Sequence, residues 1–273
     1  LEATRPATKF GGIALAMLAG SPHRSWVFGD MRLEIDRLDG PVLEVYLLGL
    51  LNYGDALRLQ RRLVYDVSGS HGQSAALVLC EHHPIITVGR LGSRAHIDCD
   101  DAELTARRIA IRWVNRGGGC MLHMPGQLAV YPIWPFPTGT IDFRSYLVRL
   151  EGVLLRVLRD FDIRAFGSPD HSGIWTATGQ IASIGVSVSR WVSYFGLTLN
   201  VTGVREQFRI LHPDGNGSLR GTTMEAERQR PAPMAKVREA VVTRFVEYFE
   251  PARHHLFTQH PMLQTVGRSR IYA

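Results

Sequence analysis

The chain has 273 residues, 45% hydrophobic and 21% charged, which is enough for one large domain or two small ones with an ordinary core and excludes a disordered polymer. The net charge of +6 suits an acidic partner, be it nucleic acid, an anionic membrane or an acidic carrier protein, yet the basic residues are scattered arginines, with Lys9 and Lys236 the only lysines. That scatter, with no interleaved aromatic and basic motif, argues against nucleic-acid binding, and no apolar run approaches the roughly 20 residues of a membrane span.

Arg5 and Lys9 precede a short apolar run at residues 11–20 that reads as a signal-like segment or as a disordered or docked extension, and residues 1–40 are assigned as an N-terminal extension. Residues 42–48 alternate and predict a strand. Residues 53–67 carry Leu57, Leu59, Leu63 and Val64 at helical spacing, with Arg58, Arg61 and Arg62 on the other side. Two short apolar runs, 75–80 and 85–88, are separated by Glu81-His82-His83-Pro84; a short capped helix at 100–108 precedes a strand at 109–114. Residues 128–134 read as a buried strand ended by Pro132, Pro135 and Pro137. Asp142 is placed to cap a long helix whose Tyr146, Leu150, Val153, Leu154, Val157 and Leu158 form a core stripe. Residues 173–177, 181–188 and 191–201 predict an antiparallel meander, and residues 234–249 a final helix with Val237, Val241, Val242, Phe245 and Phe249 on one face. The result is a single mixed α/β domain at 41–250, followed by a basic tail at 251–273 without clear period.

Cys80, Cys99 and Cys120 lack any paired spacing, which argues against a disulfide framework or structural zinc and suits a reducing cytoplasm. His82, His83, His123, His171 and His212, with Asp214, show no His-x-x-x-His pair, so no metal and no other cofactor is expected. Pro213-Asp214-Gly215 is ordinary turn grammar on its own residues. The most unusual stretch is 115–127, where Gly117, Gly118 and Gly119 follow a strand. Consecutive glycines let backbone amides approach a ligand closely, and they also build long structural turns; neither a Walker nor a Gly-x-Gly-x-x-Gly spacing is present.

Arg116, Gly117, Gly118, His123, Gly126, Gln127 and Tyr131 form an Arg-Gly-Gly-x-x-x-x-His-x-x-Gly-Gln-x-x-x-Tyr pattern that resembles the signature of LipB-type octanoyltransferases. Residues 53–60, 81–84 with 87–90, 180–186, 190–192 and 196–201 agree in order and spacing, so the resemblance runs from about 42 to 249. It implies the biotin/lipoate protein ligase-like fold, a mixed sheet flanked by helices. It also implies a medium-chain acyl ligand, with acyl carrier protein as donor and lipoyl domains of 2-oxoacid dehydrogenase or glycine cleavage proteins as acceptors. The implied acyl tunnel is lined by Arg116, Gly117, Gly118, Gly119, Cys120, Met121, Leu122 and His123, by Ser183, Ile184 and Gly185, and by Gly196, Leu197 and Thr198; His82, His83 and Arg90 organise the pocket.

The departures fall on the chemistry. The family's nucleophilic Cys corresponds to Asp214, its activating Lys to Gln180, its signature Thr to Met121, and the His before Gly-Leu to Phe195. Thioester exchange onto sulfur is nearly balanced in energy, whereas a carboxylate attacking a thioester would form a far more reactive mixed anhydride. Asp is also a weak base, with a reference pKa of about 3.9. The leading expectation is therefore an acyl-binding protein of lipoate metabolism that has lost the acyl-thioester step. The alternatives are an active octanoyltransferase using Asp214 as base or Cys120 as nucleophile beside His123, and an esterase or amidase-like hydrolase.

Overall fold

The computed structural model describes residues 26–28, 31–33, 40–139, 141–167, 173–203, 205–212 and 220–264. The chain separates into Leu1–Leu38 and Asp39–Ala273. In the first unit, strands β1 (Trp26–Phe28) and β2 (Met31–Leu33) pair antiparallel. In the second, β3 (Val42–Leu51), α1 (Tyr53–Gly69), β4 (Ser74–His82), β5 (Ile85–Val88), α2 (Asp101–Ala106), β6 (Ala110–Trp113), β7 (Cys120–His123), β8 (Gln127–Ile133) and α3 (Phe143–Asp160) follow in order. Then come β9 (Phe166–Gly167), β10 (Ile174–Trp175), β11 (Gln180–Ser189), β12 (Val192–Asn200), α4 (Met224–Arg228), α5 (Met234–Phe249), β13 (Arg253–Phe257) and α6 (Pro261–Gln264).

An eight-stranded mixed sheet has the order β13-β3-β4-β8-β12-β11-β10-β9. β13, β3 and β4 run parallel and the remaining pairs antiparallel. Its period-two alternation sorts side chains onto two faces. Leu43, Val45, Leu77, Leu79, Val130, Leu197 and Leu199 pack with α3 and α5, and Tyr46, Val78, Cys80, Ala129 and Tyr131 pack with α1. Asp142 caps α3 as its sequence predicts, its side chain accepting from Ser145 N at 3.0 Å. The predicted meander is present as β10 to β12, with β9 added at its edge, and the β11–β12 turn holds Arg190 and Trp191 at φ +52° and +61°. A separate three-stranded sheet, β6-β5-β7, covers a satellite core of Ile86, Val88, Ile97, Leu104, Leu122 and Leu211.

The residues read as a tail differ. Arg253–Phe257 add a parallel edge strand to β3, in register from Val42 opposite Arg253 to Tyr46 opposite Phe257. Every side chain of this strand is exposed, so it carries no burial pattern for a sequence reading to find. Stacking of Phe257 on Tyr46, ring centroids 5.3 Å apart, helps hold it.

Between the two sheets, Glu81 at the end of β4 ties the β7–β8 turn to α5. One carboxylate oxygen accepts from Gly126 N at 2.9 Å and the other from Arg238 Nη2 at 2.7 Å. Both side chains of this ion pair are largely shielded, at 23% and 19% exposure, so losing one partner strands the other. Glu81→Ala is expected to lower stability by about 2 kcal/mol, read as a lower denaturant midpoint at unchanged slope, while Lys236→Ala, in an exposed pair, changes it by under about 1 kcal/mol.

Candidate functional site

Alternation along β7 divides the glycine-rich stretch. Cys120 and Leu122, with Met124 beyond the strand, join the satellite core. Met121 and His123 face the other way, because Thr87 pairs with Met121 and Ile85 with His123 across the strands. On that side Thr87 Oγ1 meets His123 Nε2 at 3.1 Å, and Thr198 Oγ1 donates to Met121 Sδ at 3.7 Å.

Arg116 is buried, with 3% exposure, beside them. Its Nη2 donates to the Thr87 carbonyl at 2.9 Å and to Thr87 Oγ1 at 2.8 Å, Nε to Oγ1 at 3.3 Å, and Nη1 to the Gly117 carbonyl at 2.9 Å. Among the described residues no carboxylate pairs with it. Burial pushes its pKa down, and the neutral oxygens around it supply the compensation that an anion would otherwise give. The loop backbone is tied down as well: Gly89 N, Arg90 N and Leu91 N donate to the carbonyls of Gly119, Arg116 and Gly118 at 3.0 to 3.1 Å. Gly118, at φ +79°, provides the left-handed step that lets the loop fold back on Arg116.

β11 lies against this loop. Gly117 N donates to the Val186 carbonyl at 3.0 Å, and a Cβ on Gly185 would stand 2.8 Å from the Gly117 carbonyl oxygen and 3.2 Å from Arg116 Cδ. Gly185 pairs with Gly196 and Ser183 with Thr198; Gly185 is set against Arg116 and Gly117 and Thr198 against Met121, while a Cβ on Gly196 would meet the backbone of β8. Ile184 and Leu197 pair on the opposite face and pack in the main core. The runs 183–185 and 196–198 thus line the site through alternate residues only. His83 and Arg90 are exposed; Arg90 Nη1 reaches Asn115 Oδ1 at 3.5 Å, and His83 has no such contact with the loop.

His82 and His123 sit edge to face, centroids 5.5 Å apart, under Tyr53. His82 Nδ1 lies 3.1 Å from the Leu51 carbonyl, which only accepts, so Nδ1 carries the proton and Nε2 accepts from Tyr131 OH at 2.7 Å. Burial pushes His82 down to about 4 and His123 well below its usual value. Both rings are neutral at pH 7. Burial also raises Tyr53 to about 12 and Tyr131 well above the phenol range.

A chain of amides joins the loop to position 180. Gln127 Nε2 donates to the Leu122 carbonyl at 3.0 Å and Asn200 Oδ1 at 2.9 Å, and Asn200 Nδ2 to the carbonyls of Thr222 at 3.1 Å and Gln180 at 3.4 Å. Gln180 is buried, and its backbone is locked between Arg220 O at 2.7 Å and Thr222 N at 2.9 Å. Asp214 and His171 lie outside the described residues. The described chain on either side of 213–219 is anchored: His212 N donates to the His96 carbonyl at 2.8 Å, and Phe208 packs directly on Gly221. Among the described residues no three His, Cys, Asp or Glu are grouped to hold a metal ion, and no helix is long and apolar enough to cross a membrane.

Cys120 does not fit the nucleophile's part given to it. Its side chain faces the satellite core, its thiol is directed to the Ser93 carbonyl at 3.4 Å, and burial raises its pKa, leaving less thiolate. A one-residue step along β7 is what turns it away. The polar residues Thr87, Tyr53, Gln127 and Asn200, named above only as parts of matching motifs, contact Arg116, His82, His123 or the Gln180 backbone directly or through one another. Their signal in the sequence is a polar group within an otherwise apolar strand or helix face, which burial forces to find a partner.

Two outcomes follow from this geometry. Because the folded-state pKa values of His82 and His123 are depressed, the unfolded chain binds more protons below its reference value of about 6.5. Stability present above that pH is therefore lost as pH falls toward about 4, by up to about 1.4 kcal/mol per pH unit for each histidine, measurable as urea midpoints at pH 7.5 and 5. Gly185→Ala is expected to displace the Arg116–Gly117 backbone and lower the melting temperature by several degrees, whereas Ser183→Ala leaves it near wild type.

The family described as lipoyl protein ligase A/B catalytic domain matches residues 52–246. An octanoyltransferase of Geotalea uraniireducens is 36% identical over 209 residues, covering 76% of this chain and 94% of the relative. An octanoyltransferase of Geobacter metallireducens is 36% identical over 214 residues, covering 78% and 97%. Among solved structures, a lipoate-protein ligase A bound with ATP superposes with a TM-score of 0.60 at 16% identity, covering 84% of this chain and 93% of that one. A bipartite lipoate protein ligase from Thermoplasma acidophilum, solved in a study of that ligase and its E2 lipoyl domain, gives 0.59 at 14% identity, covering 84% and 91%. The mixed sheet with its flanking helices is thus the lipoate-protein ligase fold, and the chain belongs to the lipoyl protein ligase A/B catalytic-domain family as a LipB-type member.

Proposed function

We propose that this LipB-type lipoylation protein binds an octanoyl or similar medium-chain acyl group delivered by acyl carrier protein, without forming the acyl-thioester intermediate of its relatives. The observation that carries the reading is the anchoring of Gln180. Its backbone is bonded to Arg220, where the segment bearing Asp214 rejoins the described chain, and is linked through Asn200 and Gln127 to β7. Gln180 is thus held in a buried hydrogen-bonded framework, and on the resemblance above an amide and a carboxylate stand where the family has an ammonium and a thiolate. Sulfur accepts an acyl group from a thioester with little change in energy; a carboxylate would have to form an anhydride. An Asp and a Gln also lack the cation that lowers a thiol pKa and the thiol itself. The buried Cys120 offers no substitute.

Incubation with octanoyl-acyl carrier protein followed by intact-mass analysis tests this. The expected outcome is saturable binding with no covalent octanoyl adduct on the wild-type chain and no transfer to a lipoyl domain above background. The double variant Asp214→Cys/Gln180→Lys is expected to gain the adduct. Wild-type turnover at ordinary enzyme rates, on the order of 1 s⁻¹, overturns the proposal, and loss of that turnover in Asp214→Asn would assign Asp214 as a base.

A further inference from the structure

Beside the site, a groove of about 440 Å³ runs between α1, β6 and the β11–β12 hairpin, walled by Arg61, Arg112, Arg190, Tyr65, Trp113 and Phe195 and by no carboxylate. The charges of α1 are unequal in this respect. Arg58 is matched by Asp55 and Arg62 by Asp66 along the helix, whereas Arg61 has no acidic partner among the described residues. The same holds for Arg112 and for Arg190, which lies over the Tyr65 ring at 5.5 Å. Tyr65 and Trp113 are exposed, at 61% and 62%. Exposed Trp, Tyr and Arg around a concavity are the residue types that anchor protein interfaces, and cations without internal partners draw an anionic one. Backbone strain points the same way. Arg190 and Trp191 both hold positive φ at the hairpin tip, where glycine or asparagine is the easy choice, so the turn keeps Arg190 at the groove against its own conformational preference.

Two walls of the groove run on along the chain into the site. Asn115 on its wall is followed by Arg116, and Phe195 by Gly196. We propose that it docks the acyl donor, an acidic carrier protein whose carboxylates and phosphodiester-linked arm meet Arg61, Arg112 and Arg190, so that the arm enters beside Arg116. This rests on the acyl-binding reading above. The acceptor is disfavoured here because its reacting group is a lysine ammonium, which these arginines repel.

Titration of octanoylated acyl carrier protein into the full chain, at low and physiological salt, is the test. Octanoyl-pantetheine, which has the acyl chain and arm without the carrier, is titrated alongside. In Arg61→Glu/Arg112→Glu/Arg190→Glu, carrier affinity is expected to fall at least about tenfold and to lose most of its salt dependence, with octanoyl-pantetheine binding unchanged. Arg112→Glu alone is expected to give a partial loss and covers the case in which the triple variant does not fold. The control is Arg156→Glu, an exposed residue on α3 at the other face of the sheet, with wild-type affinity expected. Unchanged carrier affinity in the folded variants overturns the proposal. So does an equal loss in Arg156→Glu, a loss confined to lipoyl-domain binding, or wild-type affinity for duplex DNA equal to that for the carrier. Failure of the wild type to bind octanoyl-pantetheine overturns the acyl reading instead, whereas binding of octanoyl-pantetheine without the carrier overturns only the docking surface.

Discussion

The buried guanidinium of Arg116 organises everything around it. With no carboxylate to meet it among the described residues, its charge is balanced by the carbonyl and hydroxyl of Thr87 and the carbonyl of Gly117, which fixes β5 against the glycine loop. A cation held this way tolerates little movement, because every donor that swings away loses an oxygen in a place where water cannot replace it. The loop must therefore lie flat on Gly89 to Leu91, and β11 must come close enough that Gly185 has room for hydrogen only.

From that pin the polar interior extends in two directions. One branch runs from Thr87 to His123 and on through ring contacts to His82, Tyr131 and Tyr53, all uncharged at neutral pH because burial favours the neutral forms. The other runs through Gln127 and Asn200 to the backbone at Gln180.

Much of the scaffold was legible residue by residue. The stripe of α3, the cap at Asp142 and the limits of α5 follow from periodicity and local hydrogen bonding, since a helix buries one face whatever it packs against. Of the site's strands, β5, β8, β11 and β12 were legible, whereas β7 lies in the stretch read as a glycine-rich loop; the residues brought together at Arg116, Met121, His123, Gly185 and Thr198 were all among those singled out. Their neighbours Cys120, Leu122, Ile184 and Leu197 were singled out too, but contiguous runs on a strand divide between two faces, and these side chains belong to the cores. The edge strand at Arg253–Phe257 was not legible, because its partner, β3, is remote in sequence and its exposed side chains carry no pattern.

The sequence by itself determined the mixed α/β class and the strongly periodic helices and strands, because these follow from residue identity and local spacing, and its motifs resembled the family to which the chain belongs. Only the tertiary structure decided which residues of each motif face the site, that Cys120 faces away, that Arg116 is satisfied by neutral oxygens, and that three arginines from separate elements share one groove. Those are properties of contacts between segments distant in the chain, and the energies that set them, desolvation above all, depend on what burial brings alongside each group.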